Sequence, residues 1–139
     1  MSGAVFTDSA VFCNFCYFAV PQELVFDYAK AITGFPISQA SWRRVTGPRI
    51  VTLQKVLLLL GGPDVTWEPV KDDDNPPRFY EPLPTGPFKG KTTDHKKVDE
   101  KLQTYFTTLG WDKMGIPTKE TLKKLGLSDC ETAMKKLRA

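Results

Sequence analysis

The chain has 139 residues, the length of one ordinary domain, and 41% of them are hydrophobic, 12% aromatic and 25% charged. This composition indicates a folded protein and excludes a globally disordered or fibrous chain. The net charge is +3, and residues 91–139 carry 11 basic and 7 acidic side chains against 8 and 9 in residues 1–90. Because the lysines alternate with acids, we expect a solvated face and no nucleic-acid partner.

The sequence predicts neither a membrane span nor a secretory signal. The longest apolar run, Val56 to Leu60, has five residues and ends at two glycines, whereas a bilayer span needs roughly 18. No positive charge precedes the apolar residues of the N-terminus. Three cysteines, an odd number, give no disulfide framework and fit reduced thiols. We therefore expect a cytoplasmic protein.

Residues 4–20 are strongly apolar and aromatic, and Asp8, Cys13 and Cys16 are among their few polar groups. A charged carboxylate in such surroundings is costly to bury unless it is paired. The next segment is predicted to be a helix that begins near Pro21 and ends at Gly34. Its apolar residues Leu24, Val25, Tyr28 and Ile32 fit the helical period.

A longer helix is predicted from Ser38, a candidate N-cap, through Leu60. Pro48 removes one helical hydrogen bond and clashes with the preceding turn, so we expect a kink or break near residues 44–47. The run 56–60 is hydrophobic all round, which is typical of a helix that is buried on more than one side.

Residues 63–92 are predicted to form a long irregular strap, because proline fixes φ and removes a backbone donor. The segment contains seven of the eleven prolines: Pro63, Pro69, Pro76, Pro77, Pro82, Pro84 and Pro87. Long loops are uncommon inside compact domains unless they lie across another surface. The apolar residues Phe79, Tyr80, Leu83 and Phe88 predict that the strap docks on protein.

The remaining segments are predicted to be helices. The first runs from about Asp94 to Leu109 and stops at Gly110. Its apolar face consists of Val98, Leu102, Tyr105, Phe106 and Leu109. A short helix follows, with Thr118 as N-cap and Gly126 at its end, and Ser128 with Glu131 predicts a capping box for a last helix. The fold class is therefore predicted to be all-α, an irregular helical bundle in a single domain over residues 1–139.

The close pair Cys13 and Cys16 admits three interpretations from spacing alone. Two thiolates at this spacing can share a metal or form a redox pair, and small buried hydrophobic residues are an equally common use of cysteine. A zinc site needs further ligands, and Cys130 and His95 are distant in the sequence. His95 stands at a lysine-rich helix start, where solvent exposure is expected.

A series of motifs gives more information than this spacing. Asp8-Ser9-Ala10-Val11-Phe12-Cys13-Asn14-Phe15 resembles the D-x-x-G-L-C-x-F motif of the aldehyde ferredoxin oxidoreductase family. Pro77-Arg78-Phe79, Glu81-Pro82-Leu83-Pro84-Thr85-Gly86-Pro87 and Lys89-Gly90-Lys91 are similar to its P-x-R-F, EPLP-x-GP and KGK segments. Leu109-Gly110-Trp111-Asp112, Gly115-Ile116-Pro117-Thr118 and Leu122 to Leu127 are similar to its C-terminal segments.

The resemblance implies the C-terminal helical domain of a longer enzyme. It implies that Cys13 is the fourth iron ligand of a four-iron iron–sulfur cluster (4Fe-4S) and that Asp8 binds the pterin of a tungsten- or molybdenum-bis-pterin cofactor beside Phe12. Val11 and Phe12 replace the motif's glycine and leucine, so local contacts can differ. Cys16 has no counterpart in the motif, and we expect it to be buried packing.

The resemblance also implies a function: oxidation of an aldehyde to a carboxylic acid, with electrons passing through the cluster to ferredoxin. The expected partners are upstream domains of the same chain, ferredoxin and a small aldehyde, and the catalytic residues are expected upstream. The isolated domain is expected to hold no cofactor and to be inactive. The alternatives are an aromatic acyl-CoA reductase subunit of the same family and a non-enzymatic helical binding module that uses its lysine-rich half.

Overall fold

The structure is a computed structural model that describes residues 2–62 and 64–138. Its helices are α1 (Ser2–Ser9), α2 (Asn14–Ala19), α3 (Gln22–Thr33), α4 (Gln39–Ser41), a π-helical segment (Trp42–Thr46), α5 (Gly47–Leu60), α6 (His95–Leu109), α7 (Lys119–Lys124) and α8 (Glu131–Arg138). Short 3-10 helices cover Pro77–Tyr80 and Ser128–Cys130. Extended pairing in the described residues is limited to the isolated bridges Gly62–Val65 and Trp111–Pro117. The all-α prediction is confirmed.

Membrane insertion receives no support from these helices, because none in the described part of the chain is both long and apolar enough to cross a bilayer.

Local capping signals place several helix ends where the sequence predicted them. Gly34 closes α3 in the left-handed region with φ of 72°, and its N–H donates to the Lys30 carbonyl at 2.9 Å. The Asp94 carboxylate accepts a hydrogen bond from the Lys96 N–H at the start of α6. Gly110 ends that helix. Glycine tolerates positive φ and short polar side chains accept the free N–H groups, so these ends depend on local chemistry alone.

The predicted kink before Pro48 is a π-helical segment rather than a break. Ser38 caps the helix as expected, since its Oγ accepts the Ser41 N–H at 3.1 Å. Residues 42–46 then widen into a π turn, and the Gly47 N–H donates to the Trp42 carbonyl. This i→i+5 bond inserts one residue into the helix next to the proline that cannot donate.

The last helix begins later than predicted. Ser128–Cys130 form a 3-10 turn, and α8 starts at Glu131. With Ser128 as the predicted capping residue, the expected start of the α-helix is two residues too early.

Three groups of buried apolar residues hold the helices together. The N-terminal core consists of Phe6, Tyr17, Val25, Phe26 and Trp42. The C-terminal core consists of Val56, Leu59, Ile116, Leu122, Leu125, Leu127 and Met134, and the aromatic core consists of Phe106, Leu109 and Trp111. Helix α5 serves both of the latter two, because its Val51 packs on the aromatic core while its Val56 lies in the C-terminal core.

Helix α5 is less buried than its sequence predicted. Val56 and Leu59 are buried, but Leu57 is 60% exposed and Leu60 is 46% exposed. The run therefore has a free apolar face in this chain, and the prediction of burial on more than one side is wrong for the 139 residues alone.

The proline-rich segment is tied to α5 by a buried ion pair. The Lys55 Nζ lies 2.5 and 2.6 Å from the two carboxylate oxygens of Asp73, and the two side chains are 5% and 12% exposed. The ammonium group also lies 5.1 Å from the ring centre of Trp67 and 5.8 Å from that of Trp111. The Asp73 carboxylate and the two tryptophan rings together offset the cost of removing the Lys55 charge from water.

A second, exposed cluster joins the same segment to the start of α6. The His95 Nε2 lies 2.9 Å from an Asp74 carboxylate oxygen, and its Nδ1 lies 3.1 Å from Asp99. The Tyr80 hydroxyl donates to Asp74, and its ring centre is 4.4 Å from that of His95. Phe79 and Phe88, which we expected to dock, are more than half exposed here.

The first prediction concerns the buried ion pair. Asp73→Asn should lower the free energy of unfolding by about 3 kcal/mol, because it leaves the Lys55 charge buried without a counter-charge. Urea unfolding followed by circular dichroism measures this. Lys71→Ala, which removes the exposed Lys71–Glu68 pair, is the control and should have a far smaller effect. Equal effects of the two substitutions would contradict a stabilising role for the buried pair.

The second prediction concerns pH. Asp74 and then Asp99 raise the pKa of His95 above its ordinary value of 6.5. The stability contributed by this cluster should be fully present below about pH 6.5 and should be lost as pH rises through the folded-state pKa. Proton NMR of the imidazole, the chain's one histidine, reads the pKa directly. Asp74→Asn should lower it, and an unchanged value would contradict the pairing.

Candidate functional site

The motif residues Asp8, Phe12 and Cys13 lie at the turn between α1 and α2. The Phe12 N–H donates to the Thr7 carbonyl at 2.8 Å, and the Val11 N–H donates to the Asp8 carbonyl at 3.4 Å. These two bonds form a Schellman motif, the common way for a helix to satisfy its last carbonyls. These hydrogen bonds therefore fix the backbone conformation of the segment that carries the motif side chains.

Val11 occupies the left-handed position of this motif with φ of 52°, and its side chain is 93% exposed. Glycine is the usual residue at this position, and a β-branched residue there is strained. The motif that this segment resembles has glycine at the same place. The backbone therefore adopts the geometry that glycine favours, although the residue is valine.

Cys13 is exposed and stands at the N-cap of α2, where its carbonyl accepts the Tyr17 N–H at 3.0 Å. The backbone N–H groups of Cys16 and then Phe15 lower the pKa of the Cys13 thiol. The Cys16 thiol adds to this effect, and the shared hydrogen bond raises the pKa of Cys16 itself. The arrangement favours a thiolate at Cys13, the form that binds metals.

Cys16 is exposed, so the expectation that it is buried packing is wrong for this chain. The apolar, aromatic residues around Cys16 in the sequence do not form a buried neighbourhood. Helix α2 turns Tyr17 into the N-terminal core and leaves Phe15 and Phe18 largely exposed.

Asp8 is exposed at the end of α1, and Phe12 is 37% exposed beside it. Both are within five residues of Cys13 in the sequence, and all three side chains are accessible to solvent. Cys130 instead packs against the C-terminal core, and His95 belongs to the cluster on α6. The described residues contain no group of three or more potential metal ligands. Cys13 can therefore supply one ligand to a metal site whose other ligands lie outside the described residues.

A large apolar groove adjoins this turn, and the sequence did not predict it. It has a volume of about 600 Å³ and is lined mainly by side chains from α3 and from the two ends of the α1–α2 region. We call it the α3 groove and define it by Phe12, Val20, Leu24, Tyr28, Ile32 and Ile37. The sequence signal for this wall of the groove is the four-residue spacing of Leu24, Tyr28 and Ile32, which places them along one side of a helix.

Comparison with known proteins gives the family. The family model described as "Aldehyde ferredoxin oxidoreductase, domains 2 & 3" matches residues 3–127. The chain belongs to the aldehyde ferredoxin oxidoreductase family. The matched range includes the α1–α2 turn, the proline-rich segment and α6. The resemblance that the motifs indicated is confirmed, and the chain corresponds to the family's C-terminal domain.

Several curated relatives are similar over most of the chain. The aliphatic sulfonate oxidoreductase, WOR-like subunit, of Pyrococcus furiosus is 46% identical over 134 residues, or 96% of this chain. The tungsten-containing aldehyde ferredoxin oxidoreductases of Pyrococcus furiosus and Thermococcus kodakarensis are 32% and 30% identical over 123 residues, or 88% of it. The chain spans about a fifth of the length of these relatives.

The cofactors that this family implies fit the α1–α2 turn only in part. The exposed Cys13, with backbone N–H groups that favour its thiolate, has the chemistry of one iron–sulfur ligand. A four-iron cluster needs further thiolates, which must come from residues outside this turn. Asp8 presents a free carboxylate that can accept hydrogen bonds from pterin N–H groups.

The third prediction concerns Val11. Val11→Gly should raise the free energy of unfolding by about 1 kcal/mol, because relief of left-handed strain exceeds the added entropy of the unfolded chain. Thermal unfolding measures the change. Val20→Gly is the matched control, since Val20 has φ of −126°, and it should destabilise the chain. A loss of stability in both variants would contradict strain at Val11.

Proposed function

We propose that this chain is the C-terminal domain of a tungsten or molybdenum enzyme that oxidises aldehydes to carboxylic acids and passes the electrons through a 4Fe-4S cluster to ferredoxin. The observation that carries the proposal is Cys13, an exposed cysteine at a helix N-cap whose thiolate is favoured by the backbone. The family membership and the tungsten-containing relatives support the cofactor assignment.

In this proposal Cys13 supplies the fourth iron ligand, and the cluster provides one-electron transfer when it is bound. The N–H groups of Cys16 and Phe15 donate towards the Cys13 sulfur, which stabilises negative charge there and favours acceptance of an electron. Phe12, which is 37% exposed, is the apolar residue that contacts the pterin next to Asp8 in this proposal. Asp8 holds the pterin through hydrogen bonds to its carboxylate.

The residues that bind the substrate and catalyse its conversion are proposed to lie in upstream domains, so the 139 residues alone are proposed to be inactive. The proposed partners are those upstream domains, ferredoxin and a small aldehyde. The proposed compartment is the cytoplasm, where thiols such as Cys13 and Cys16 stay reduced. The expected domain organisation, one unit over residues 1–139 with a strap at 63–92, remains part of the proposal.

A second candidate substrate class is favoured by one comparison. The relative that is 46% identical is named an aliphatic sulfonate oxidoreductase, WOR-like subunit. An enzyme of the same family that acts on an aliphatic sulfonate would use Cys13 in the same way, since electron transfer does not depend on the substrate. Ferredoxin reduction by the full-length protein, assayed with aldehydes and with aliphatic sulfonates, separates the two. Aromatic acyl-CoA reduction runs in the opposite direction, so it is assayed separately as oxidation of reduced ferredoxin in the presence of the acyl-CoA.

The fourth prediction tests the ligand. In the full-length protein, Cys13→Ser should lower ferredoxin-linked activity by more than about tenfold and change the cluster's electron paramagnetic resonance signal, because an alkoxide is a poorer ligand for iron than a thiolate. Cys16→Ser is the matched control and should leave both close to normal. Equal losses in the two variants would indicate a joint site, and an unchanged Cys13→Ser protein would contradict the assignment.

A further inference from the structure

Helix α3 has two apolar faces, and only one of them is covered in this chain. Val25 and Phe26 are buried in the N-terminal core. Leu24, Tyr28 and Ile32, spaced four residues apart, are 42%, 61% and 81% exposed. Residues at this spacing lie along one side of a helix. A helix that is apolar on two sides is typical of a position between two layers of protein.

The exposed face forms one wall of the α3 groove, whose lining contains no charged side chain. Phe35, just beyond the end of α3, adds a further aromatic side chain that is 65% exposed. Contiguous apolar surface of this extent usually marks a place where another molecule or domain binds. The absence of charge in the lining excludes recognition of an ionic ligand and favours an apolar protein surface.

The groove is continuous with the turn that carries Cys13. Phe12, which precedes Cys13, and Val20, which follows α2, both line it. A cluster with four protein ligands is only a few ångströms across, so the chain that provides the other ligands must come into contact with the surroundings of Cys13. Phe12 adjoins Cys13 in the sequence and lines the groove, so this end of the groove is a surface that such a chain can contact.

We propose that the α3 groove is the binding site for the upstream part of the same polypeptide. An apolar surface of that part packs against Leu24, Tyr28 and Ile32, and its cysteines bind the same cluster as Cys13. The identity of the occupant rests on the proposed function. The relatives are about five times as long as this chain, so they contain additional polypeptide that is large enough to cover the groove. Docking removes water from the groove and from Cys13 together, which lowers the dielectric around the sulfur.

Hydroxyl-radical footprinting with mass spectrometry tests the docking side chain by side chain. The 139-residue chain is compared with the full-length protein, and oxidation of Tyr28 and Ile32 should fall about tenfold in the latter, as expected for the core of an interface. Met114, 49% exposed in the loop after α6 beside Lys113, is the control and should be oxidised at similar rates in both. Equal oxidation of Ile32 in the two proteins would overturn the proposal.

The same measurement on full-length Cys13→Ser separates this proposal from the ligand assignment. Protection of Tyr28 and Ile32 that persists without the cysteine supports docking whether or not the cluster is bound. Protection in the 139-residue chain alone that rises with its concentration would overturn the proposed occupant in favour of a second copy.

A substitution provides an independent readout. Ile32→Asp should leave the melting temperature of the 139-residue chain unchanged, because the side chain is already in water, and should lower that of the full-length protein. Met114→Asp is the matched control and should change neither. An unaffected full-length Ile32→Asp protein would contradict docking at this face.

Discussion

A single buried ammonium group determines how the second half of the chain is arranged. Lys55 projects from α5 into a space bounded by Trp67, Phe106 and Trp111, at 5.1, 5.9 and 5.8 Å from their ring centres. Such a charge is tolerated only with a counter-charge at hydrogen-bond distance, and Asp73 provides it. Three parts of the chain therefore have to pack around the Lys55 side chain: the proline-rich segment, α6 and the loop that carries Trp111.

Helix ends were predictable from the sequence and the partners of Lys55 were not, for a physical reason. Gly34, Gly110 and Thr118 act on backbone groups within a few residues, so the local sequence contains all the relevant chemistry. Lys55 and Asp73 are 18 residues apart, with a proline-rich segment between them. No periodicity links two such residues, and their pairing emerges only when the segment folds back on α5.

The candidate site shows the same division. The family motif located Asp8 and Cys13, but it gave no reason for its own glycine, which corresponds to Val11 here. The Schellman turn gives that reason, since the position of Val11 requires a positive φ. Valine at this position hides the turn from sequence analysis, because β-branched residues normally indicate extended chain. The exposure of Cys16 was equally hidden, since an apolar sequence does not distinguish an internal core from an exposed apolar surface.

The π turn at residues 42–46 sets the angular relationship between the two ends of one long helix. An extra residue in a turn rotates everything after it by about 100° relative to an uninterrupted α-helix. Trp42, before the offset, faces the N-terminal core, and Val56 and Leu59, after it, face the C-terminal core. With this offset, Ile50 in the first turn of α5 lies on the same side of the helix as Trp42 and also packs on the N-terminal core, while Val56 and Leu59 project from another side into the C-terminal core. The inserted residue therefore determines which residues of one long helix face each end of the molecule.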